Sequence, residues 1–371
     1  MKCLTEYQIP NLNTLHNLSD AHSRQSYKNG LSKIVEDFSL FFKESEGANY
    51  EKLLLDCLYS FMDCSSQSKF KNYEFLASCT ASQSMEVVAN YLRLKNLNVF
   101  LVEPTFDNIP DILKRHKIDL FPLNEKEFKN IATLKKDKID TIFLTLPNNP
   151  TGQILNKEEF NSLVKFCSDN SIILIIDACF RLFDERMLFD WYEIISQYKL
   201  NFIIIEDTGK IWPTQDLKVS FIISDDETIK SLARISSDFL LNISPFILKL
   251  VIEVSKASKQ KDFKDFRDLL KTNRDYLSEI VSKNNFFEIE NPDSRVSVVL
   301  LKINFNISAH ELVDHLFNKG IGLLPGTPFF WNNSKQGENF IRVALARDVE
   351  YFKDGIDKLF ETLKLLADGK Q

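Results

Sequence analysis

Several features that would assign a sequence to a specialised class of protein are missing from this chain. Its six cysteines form no C-x-x-C pair and no zinc-ligand spacing, which is typical of free thiols in a reducing compartment. Acidic residues outnumber basic residues by 52 to 46, so the charge disfavours nucleic acid as a partner. These absences predict a cytoplasmic protein that has no metal site and does not bind nucleic acid.

Long apolar runs and targeting signals are missing as well. The apolar runs SIILIID and NFIIIED are far shorter than the roughly 20 residues that a membrane-spanning helix needs. The first residues, MKCLTEYQIPNLN, lack the apolar segment of a signal peptide. No internal repeat or low-complexity segment is present. We therefore expect a soluble protein with no membrane partner.

The chain does contain short apolar runs that alternate with helical stretches between about residues 74 and 224. The runs are YEFLAS, NVFLVE, IDLFPL, TIFLTL, SIILIID, NFIIIED and VSFIIS. Apolarity is continuous within them rather than alternating, so both faces of each strand should be buried, as in a parallel sheet flanked by helices. The pattern predicts a doubly wound α/β domain.

The pattern changes beyond about residue 260, which indicates a second domain. A long amphipathic helix from about Asp262 to Ser282 precedes two strands, and Ser308 and Glu311 form an S-x-x-E capping box before another helix. We predict an N-terminal segment (1–45) that packs with the small domain and the active site, a large α/β domain (46–260) and a small α+β domain (261–371). A final helix should run from about residue 348 to residue 367.

Three polar residues follow strands of the predicted sheet. Asn149 lies in LPNNPTG, Asp177 in LIIDACF and Lys210 in IIIEDTGK. Ligands of doubly wound sheets bind beyond the carboxyl ends of the strands, where these residues should meet. An amine that forms a Schiff base, a carboxylate that pairs with a pyridine nitrogen and an amide that binds a ring hydroxyl suit one pyridine-aldehyde cofactor.

This combination resembles the fold-type I pyridoxal 5'-phosphate (PLP) enzymes of the aminotransferase class I/II group. The resemblance extends from about Leu76 to Arg342, and it implies an α/β fold with a mostly parallel large domain and a small α+β domain, PLP as cofactor, and a homodimer. Further residues match positions that hold the cofactor in that group: Ala81, Ser82, Gln83, Phe106, Thr208 and Lys218.

The resemblance gives these residues roles that each have an ordinary structural alternative. Residues 81–83 open a helix, where backbone N–H groups suit a phosphate but also suit a simple helix cap. Phe106 matches the aromatic residue that stacks on the pyridine ring, although a chain with 31 phenylalanines also places many in its core. Arg342 matches the arginine that binds the substrate α-carboxylate, for which a structural ion pair is the alternative.

The chain departs from an ordinary aminotransferase at several of these positions. Phe180 stands where the group usually has a tyrosine that binds the ring oxygen. Lys218 replaces a phosphate-binding arginine and therefore loses the bidentate fork. Ser220 stands where a glycine is common. The missing hydroxyl at Phe180 should alter the pKa of the Schiff base and the electron distribution of the quinonoid.

The N-terminal segment LSDAHSRQSY and the stretch DTGKIWPTQDLK resemble a small subgroup of PLP enzymes. That subgroup contains oxygen-using arginine oxidases and hydroxylases and capreomycidine synthase-like cyclases. The resemblance implies that His22 is catalytic over the cofactor, although a surface histidine is the alternative. It also places Thr5, Gln8 and Asp20 near the substrate. Gln8 is neutral, so the acid expected for a guanidinium group would be Glu6, Asp20 or another carboxylate.

We therefore predict a PLP enzyme that acts on an L-amino acid with a polar or cationic side chain, L-arginine or a hydroxyarginine being expected. A quinonoid intermediate would lead to oxidase or hydroxylase chemistry, with O2 as co-substrate, or to elimination and cyclisation. The alternative is an ordinary class I/II aminotransferase with a ketoacid acceptor. A non-enzymatic PLP sensor is disfavoured because Lys210 is present and no DNA-binding domain precedes the fold.

Overall fold

The chain folds around two main sheets in a computed structural model that describes residues 2–26, 34, 36–37, 39–40, 49–62, 73–127, 139–214, 217–238, 240–259, 263–367 and 369. The strands are β1 (His16–Asn17), β2 (Glu74–Ser78), β3 (Val99–Glu103), β4 (Leu120–Asn124), β5 (Thr141–Thr145), β6 (Ile173–Asp177), β7 (Phe202–Asp207), β8 (Ser220–Ser224), β9 (Phe287–Ile289), β10 (Val298–Ile303), β11 (Ile321–Gly322), β12 (Leu324–Pro325) and β13 (Phe340–Ala344). The helices are α1 (Leu4–Asn11), α2 (Tyr50–Tyr59), α3 (Ala81–Lys95), α4 (Asn108–Arg115), α5 (Lys157–Asp169), α6 (Trp191–Ile195), α7 (Asp226–Ser236), α8 (Pro245–Lys259), α9 (Lys264–Ser282), α10 (Ala309–Phe317) and α11 (Val349–Ala367).

The larger sheet has seven strands in the order β2-β8-β7-β6-β5-β3-β4. All of them are parallel except β8, which is antiparallel to both of its neighbours. This confirms the predicted α/β class with a mostly parallel large sheet. The register pairs Thr145 with Asp177, so β5 and β6 end together at one edge.

Continuous apolarity in these strands is explained by helices on both faces of the sheet. Every residue of β5, β7 and β8 is buried. Ile176 faces one core cluster, which it shares with Phe160 of α5, whereas its neighbour Ile175 faces the other cluster together with Val88 of α3. Because successive side chains of a strand point to opposite faces, a strand covered on both sides must be apolar at every position.

The smaller, antiparallel sheet has the order β12-β13-β10-β9 and lies in the C-terminal third of the chain. The described N-terminal residues around β1 contact this part of the chain. Strand β1 pairs in parallel with β11, and Leu18 continues the pairing through its backbone to Gly322 and Ala344. The N-terminal segment is thereby carried across the small sheet toward the edge of the large one.

Several predicted local features are confirmed. Ser308 and Glu311 form the expected reciprocal capping box at the start of α10. The long helix begins at Lys264 and the last helix at Val349, each close to the predicted start. The predicted helix start at Asp262 lies outside the described residues. Both predicted domain boundaries, at 45/46 and 260/261, lie outside them as well, so the division into domains stays a prediction. In the described part of the chain, no helix is long and apolar enough to cross a membrane.

Candidate active site

The three residues that follow strands lie at the same edge of the large sheet. Asp177 is the last residue of β6, Lys210 follows β7 by three residues, and Asn149 follows β5 by four. Asp177 and Lys210 are close enough for the lysine charge to lower the carboxyl pKa. Since β5, β6 and β7 are parallel neighbours, their carboxyl ends meet at one place and bring an amide, a carboxylate and an amine together.

Asp177 is a buried carboxylate that lacks a full counter-charge. Burial raises its pKa, the neighbouring Asp207 raises it further, and the backbone N–H of Cys179 donates a hydrogen bond to Oδ1 over 3.0 Å. A carboxylate in such a place is costly without a cation. A protonated pyridine nitrogen would supply that cation.

The charged form of Lys210 is also disfavoured by its surroundings. Burial lowers the pKa of its amine and the charge of Lys218 lowers it further, while Asp20 and Asp207 oppose the shift. A neutral amine is the form that attacks an aldehyde. The surroundings of Lys210 therefore suit a Schiff-base lysine.

His22 lies between an aspartate and two lysines. Its Nδ1 is 2.5 Å from Oδ1 of Asp20, and its Nε2 is 3.1 Å from Nζ of Lys210 and 3.2 Å from Nζ of Lys218. A carboxylate can only accept a hydrogen bond, so the proton of the neutral ring belongs on Nδ1 and Nε2 faces the lysines as an acceptor. Burial and the two lysine charges lower the pKa of His22, although Asp20 opposes them.

Asp20 is fully engaged in holding this arrangement. Its Oδ1 accepts from His22, and its Oδ2 accepts from Nε and Nη2 of Arg24 at 3.0 and 2.7 Å. Burial alone would raise the pKa of Asp20, but the hydrogen bonds from His22 and the neighbouring positive charge outweigh it and hold the pKa well below its usual range. Asp20 therefore orients His22, and a substrate guanidinium would have to displace Arg24 to reach it.

Arg347 is a buried residue of this site that sequence reasoning missed. It donates to three backbone carbonyls of the N-terminal segment: Nε to Asn17 over 2.8 Å, Nη1 to His22 over 3.1 Å and Nη2 to Asp20 over 2.8 Å. Ser23 adds a hydrogen bond from its hydroxyl to the carbonyl of Lys210. Arg347 and Asn17 are 330 residues apart, so no local motif could have indicated the contact.

Arg342 and Asn149 are in direct contact. Nη1 of Arg342 donates to Oδ1 of Asn149 over 3.1 Å, and Nη2 donates to the carbonyl of Ser19 over 2.5 Å. A guanidinium has no acceptor, so Asn149 must present its oxygen to Arg342 and keeps its NH2 group for another acceptor, such as a ring oxygen. Nε of Arg342 is buried and makes no hydrogen bond among the described residues, which suits a substrate carboxylate.

Some of the residues predicted to bind the phosphate use their N–H or O–H groups in hydrogen bonds within the protein. The Gln83 N–H donates to the side chain of Thr80, which caps α3. The Thr208 hydroxyl donates to the carbonyl of Val219 and accepts from its N–H, so it has no proton left to donate to a phosphate. Ala81 and Ser82 open the helix with first-turn N–H groups that face its N-terminal side. The phosphate roles of these residues stay predictions.

The remaining predicted residues lie around Arg342 or further out. Phe106 is half-buried against Phe329, whose ring lies 5.3 Å below the Arg342 guanidinium. Thr5 is exposed on α1 and Gln8 half-buried, and the structure describes no side-chain hydrogen bond from either of them to the site. Their substrate-binding roles also stay predictions.

Phe180 packs into the core, its ring centroid 5.3 Å from that of Phe183. The hydroxyl that the resemblance would place here is thus replaced by an apolar contact. In the described part of the chain, no group of three or more His, Cys, Asp and Glu residues has the arrangement of a metal site.

The fold and the site define a PLP-dependent enzyme of fold type I. The profile of the family described as "Aminotransferase class I and II" matches residues 45–359, and the chain belongs to that family. PLP is accordingly its cofactor. The residues fit this group, because Asp177 is a buried carboxylate in need of a cation and Lys210 is an amine with a lowered pKa.

Comparison with known proteins finds aminotransferases of similar sequence and a solved structure of similar fold. The chain is 22% identical to a probable aspartate/prephenate aminotransferase of Aquifex aeolicus over 70% of its own length, and 24% identical to an LL-diaminopimelate aminotransferase of Natranaerobius thermophilus over 63%. These matches span only 65% and 60% of the two relatives. The structure of MppP soaked with the product 2-ketoarginine is similar over 94% of this chain and 99% of that one, with 28% identity and a TM-score of 0.87.

Proposed function

We propose that the protein acts on the α-amino group of L-arginine or a hydroxyarginine, as an oxidase or hydroxylase that uses O2 or as an eliminating cyclase. The observation that carries this proposal is His22, which contacts Asp20 through Nδ1 and lies 3.1 Å from Nζ of Lys210 through Nε2. An ordinary aminotransferase needs only the lysine to move protons at the substrate. A second, separately positioned base indicates a reaction with a further proton transfer or a water molecule.

The similarity to MppP supports the substrate class. A structure soaked with the product 2-ketoarginine has the same fold over nearly the whole chain, and its 28% identity exceeds that of the aminotransferase relatives. 2-Ketoarginine is arginine in which a keto oxygen replaces the α-amino group and the α-hydrogen. It is reached both by oxidation and by amino transfer, so the product name supports arginine without separating the two reactions.

Each residue of the site has a separate role in such a reaction. Bound PLP supplies an electron sink for the pair released when the Cα–H bond breaks. Arg342 binds the substrate carboxylate through its unused Nε and orients Cα toward Lys210. Neutral Lys210 accepts the α-proton at Nζ, and the Asp177 carboxylate holds the positive charge of the ring nitrogen. His22 accepts or returns a proton at Nε2, while Asp20 keeps the ring in the required tautomer.

A plain class I/II aminotransferase is the second candidate, and the names of the curated relatives favour it. Both candidates begin with removal of the α-proton by Lys210. They differ in the fate of the amino group. An oxidase releases it as ammonia while O2 is reduced, whereas an aminotransferase passes it to a ketoacid.

The experiment is incubation with L-arginine, hydroxyarginines and other amino acids, with and without O2 and 2-oxoglutarate. Oxygen uptake, ammonia and products are measured by electrode, assay and mass spectrometry. We expect turnover without a ketoacid, which requires O2 for an oxidase or hydroxylase and does not require it for an eliminating cyclase. We also expect His22→Ala to shift hydroxylated or cyclised product toward simple ketoacid more than it changes PLP binding.

The matched control is His315→Ala, a half-buried histidine on α10 far from Lys210 in the chain. It should leave the product distribution unchanged. Efficient amino transfer to 2-oxoglutarate, indifferent to O2 and to His22, would overturn the proposal in favour of the aminotransferase.

A further inference from the structure

A cavity of about 700 Å³ lies apart from the residues assigned to PLP, none of which lines it. It is bounded by the turn around Arg186 that follows β6, by the first half of α9 and by the loop at Ser294. Its volume is within the range of small-molecule sites, roughly 300–1,000 Å³. Three apolar side chains, Phe183, Leu270 and Pro292, form part of its wall.

The cavity is rich in positive charge. Six Lys and Arg side chains line it against four Asp and Glu side chains, in a protein whose net charge is −6. Glu185 is already engaged, because Nη1 of Arg267 lies 2.9 Å from one of its oxygens and Nη1 of Arg295 lies 3.3 Å from the other. An excess of cations in a concave wall raises the local concentration of anions.

Three polar atoms of the lining make no hydrogen bond within the described part of the chain. Among the residues that the structure describes, no hydrogen bond is made by Nη1 of Arg274, Nε of Arg267 or Oγ of Ser294, although all three atoms are buried. Arg274 uses only Nη2, which donates to the carbonyl of Val296. Burial lowers the pKa of this guanidinium to about 10. A buried cation with an unused donor is unfavourable unless an acceptor reaches it.

The start of α9 contributes to the same wall. The helix has 19 residues, and the residue before it, Phe263, makes no side-chain cap. Lys264, Arg267 and Lys271 line the cavity from one face of its first two turns, as their spacing of three and four residues dictates. The positive end of the helix dipole favours an anion at this position.

We propose that this cavity binds a small organic anion that carries carboxylate or phosphate groups. Arg274 and Arg267 supply guanidinium donors, which match the planar geometry of both kinds of group. The first turn of α9 and Lys264 add positive potential, and Ser294 adds a hydroxyl. The apolar wall accommodates the carbon skeleton of the ligand.

The test is binding to the PLP-loaded enzyme, in which the cofactor occupies its own phosphate site. Pyrophosphate and citrate are titrated separately by calorimetry, with sodium chloride holding the ionic strength constant. We expect at least one probe to bind with one site per chain. Arg267→Gln and Arg274→Gln should each weaken that binding at least tenfold. Pyrophosphate binding alone identifies a phosphate ligand, and citrate binding alone identifies a carboxylate ligand.

The matched control is Arg234→Gln, an exposed arginine in the last turn of α7, which should bind like the wild type. Arg267→Gln keeps the test decisive if Arg274→Gln does not fold, because Arg267 is partly exposed. Failure of both probes to bind the wild type, or equal binding by all four proteins, would overturn the proposal.

Discussion

His22 shows how single neighbours determine what a side chain can do. Asp20 holds the proton on Nδ1, and burial together with the charge of Lys218 disfavours a second proton on Nε2. The ring is thereby kept neutral, with its lone pair directed at Lys210. A histidine in water would titrate near pH 6.5, so this environment extends its basic form to lower pH.

At the same scale, Lys210 should hold PLP. We expect Lys210→Ala to lose the visible absorption band of lysine-bound PLP and to keep its far-UV circular dichroism, because the side chain contributes little to the apolar core. The comparison variant is Lys230→Ala, an exposed lysine on α7, which should keep the band. Borohydride reduction followed by peptide mapping checks the attachment, and label on any other lysine would contradict it.

Asp177 should stabilise the positive charge of the ring nitrogen. Asp177→Asn keeps the shape and removes the charge, so turnover should fall by at least about 10²-fold, equivalent to about 3 kcal/mol. The measurement is steady-state kcat at saturating PLP, with exposed Asp169→Asn as the control. Near-normal turnover with PLP bound would show that the carboxylate is structural.

Among the elements, the turn after β5 is fixed by its contact with the loop before β10. Gly152 has φ +71°, and a Cβ there would overlap the Ser294 hydroxyl. Asn291 donates from Nδ2 to the carbonyl of Thr151 over 3.1 Å. The turn that carries Asn149 is therefore held from the small-sheet side, which explains why this position is a glycine.

Gly152→Ala should lower the free energy of unfolding by about 1–2 kcal/mol through left-handed strain alone, and further through the overlap. Thermal and urea unfolding measure the loss. The double variant Gly152→Ala/Ser294→Gly removes the overlap and should recover part of the stability, whereas the strain remains. An unchanged melting temperature in the single variant would contradict this account of the turn.

For the whole molecule, buried carboxyl groups should make stability depend on pH. Burial and the charge of Glu290 raise the pKa of Glu125 from its ordinary 4.5 to about 7. Hydrogen bonds from Thr151 and Asn148 act in the opposite direction and lower it. The folded protein then binds more protons than the unfolded chain between these values. The contribution of Glu125 to stability is present below about pH 4.5 and is lost as the pH rises to about 7.

Melting temperatures measured from pH 4.5 to 8 check this expectation. Glu125→Gln should flatten the decline because the amide does not titrate, while Glu74→Gln, at an exposed position on β2, should reproduce the wild-type slope. A variant at position 125 with the wild-type slope would assign the pH dependence to other groups.

Assembly also belongs to the scale of the whole molecule. The resemblance to fold-type I enzymes implies a homodimer, because their active sites lie at a subunit boundary. Light scattering coupled to gel filtration should therefore give twice the 43.0 kDa of one chain. An active species with the mass of a single chain would contradict this prediction.

The sequence by itself determined the large sheet and the central residues of the site. Short continuous apolar runs that alternate with helical stretches favour strands covered on both faces, and parallel strands bring their carboxyl ends to one edge. Asn149, Asp177 and Lys210 therefore had to meet once the runs were recognised. The capping box at Ser308 could also be predicted from the sequence, because all of its hydrogen bonds lie within four residues.

The tertiary structure decided what these local patterns do not contain. Arg347 holds the segment around His22 from the other end of the chain, and the Thr208 hydroxyl is used by Val219 instead of remaining free. The cavity beside α9 joins residues from three separate stretches. Such contacts depend on how whole helices and strands pack against one another. The periodicity of a sequence indicates only which face of a helix or strand is buried, and not which distant side chain that face will contact.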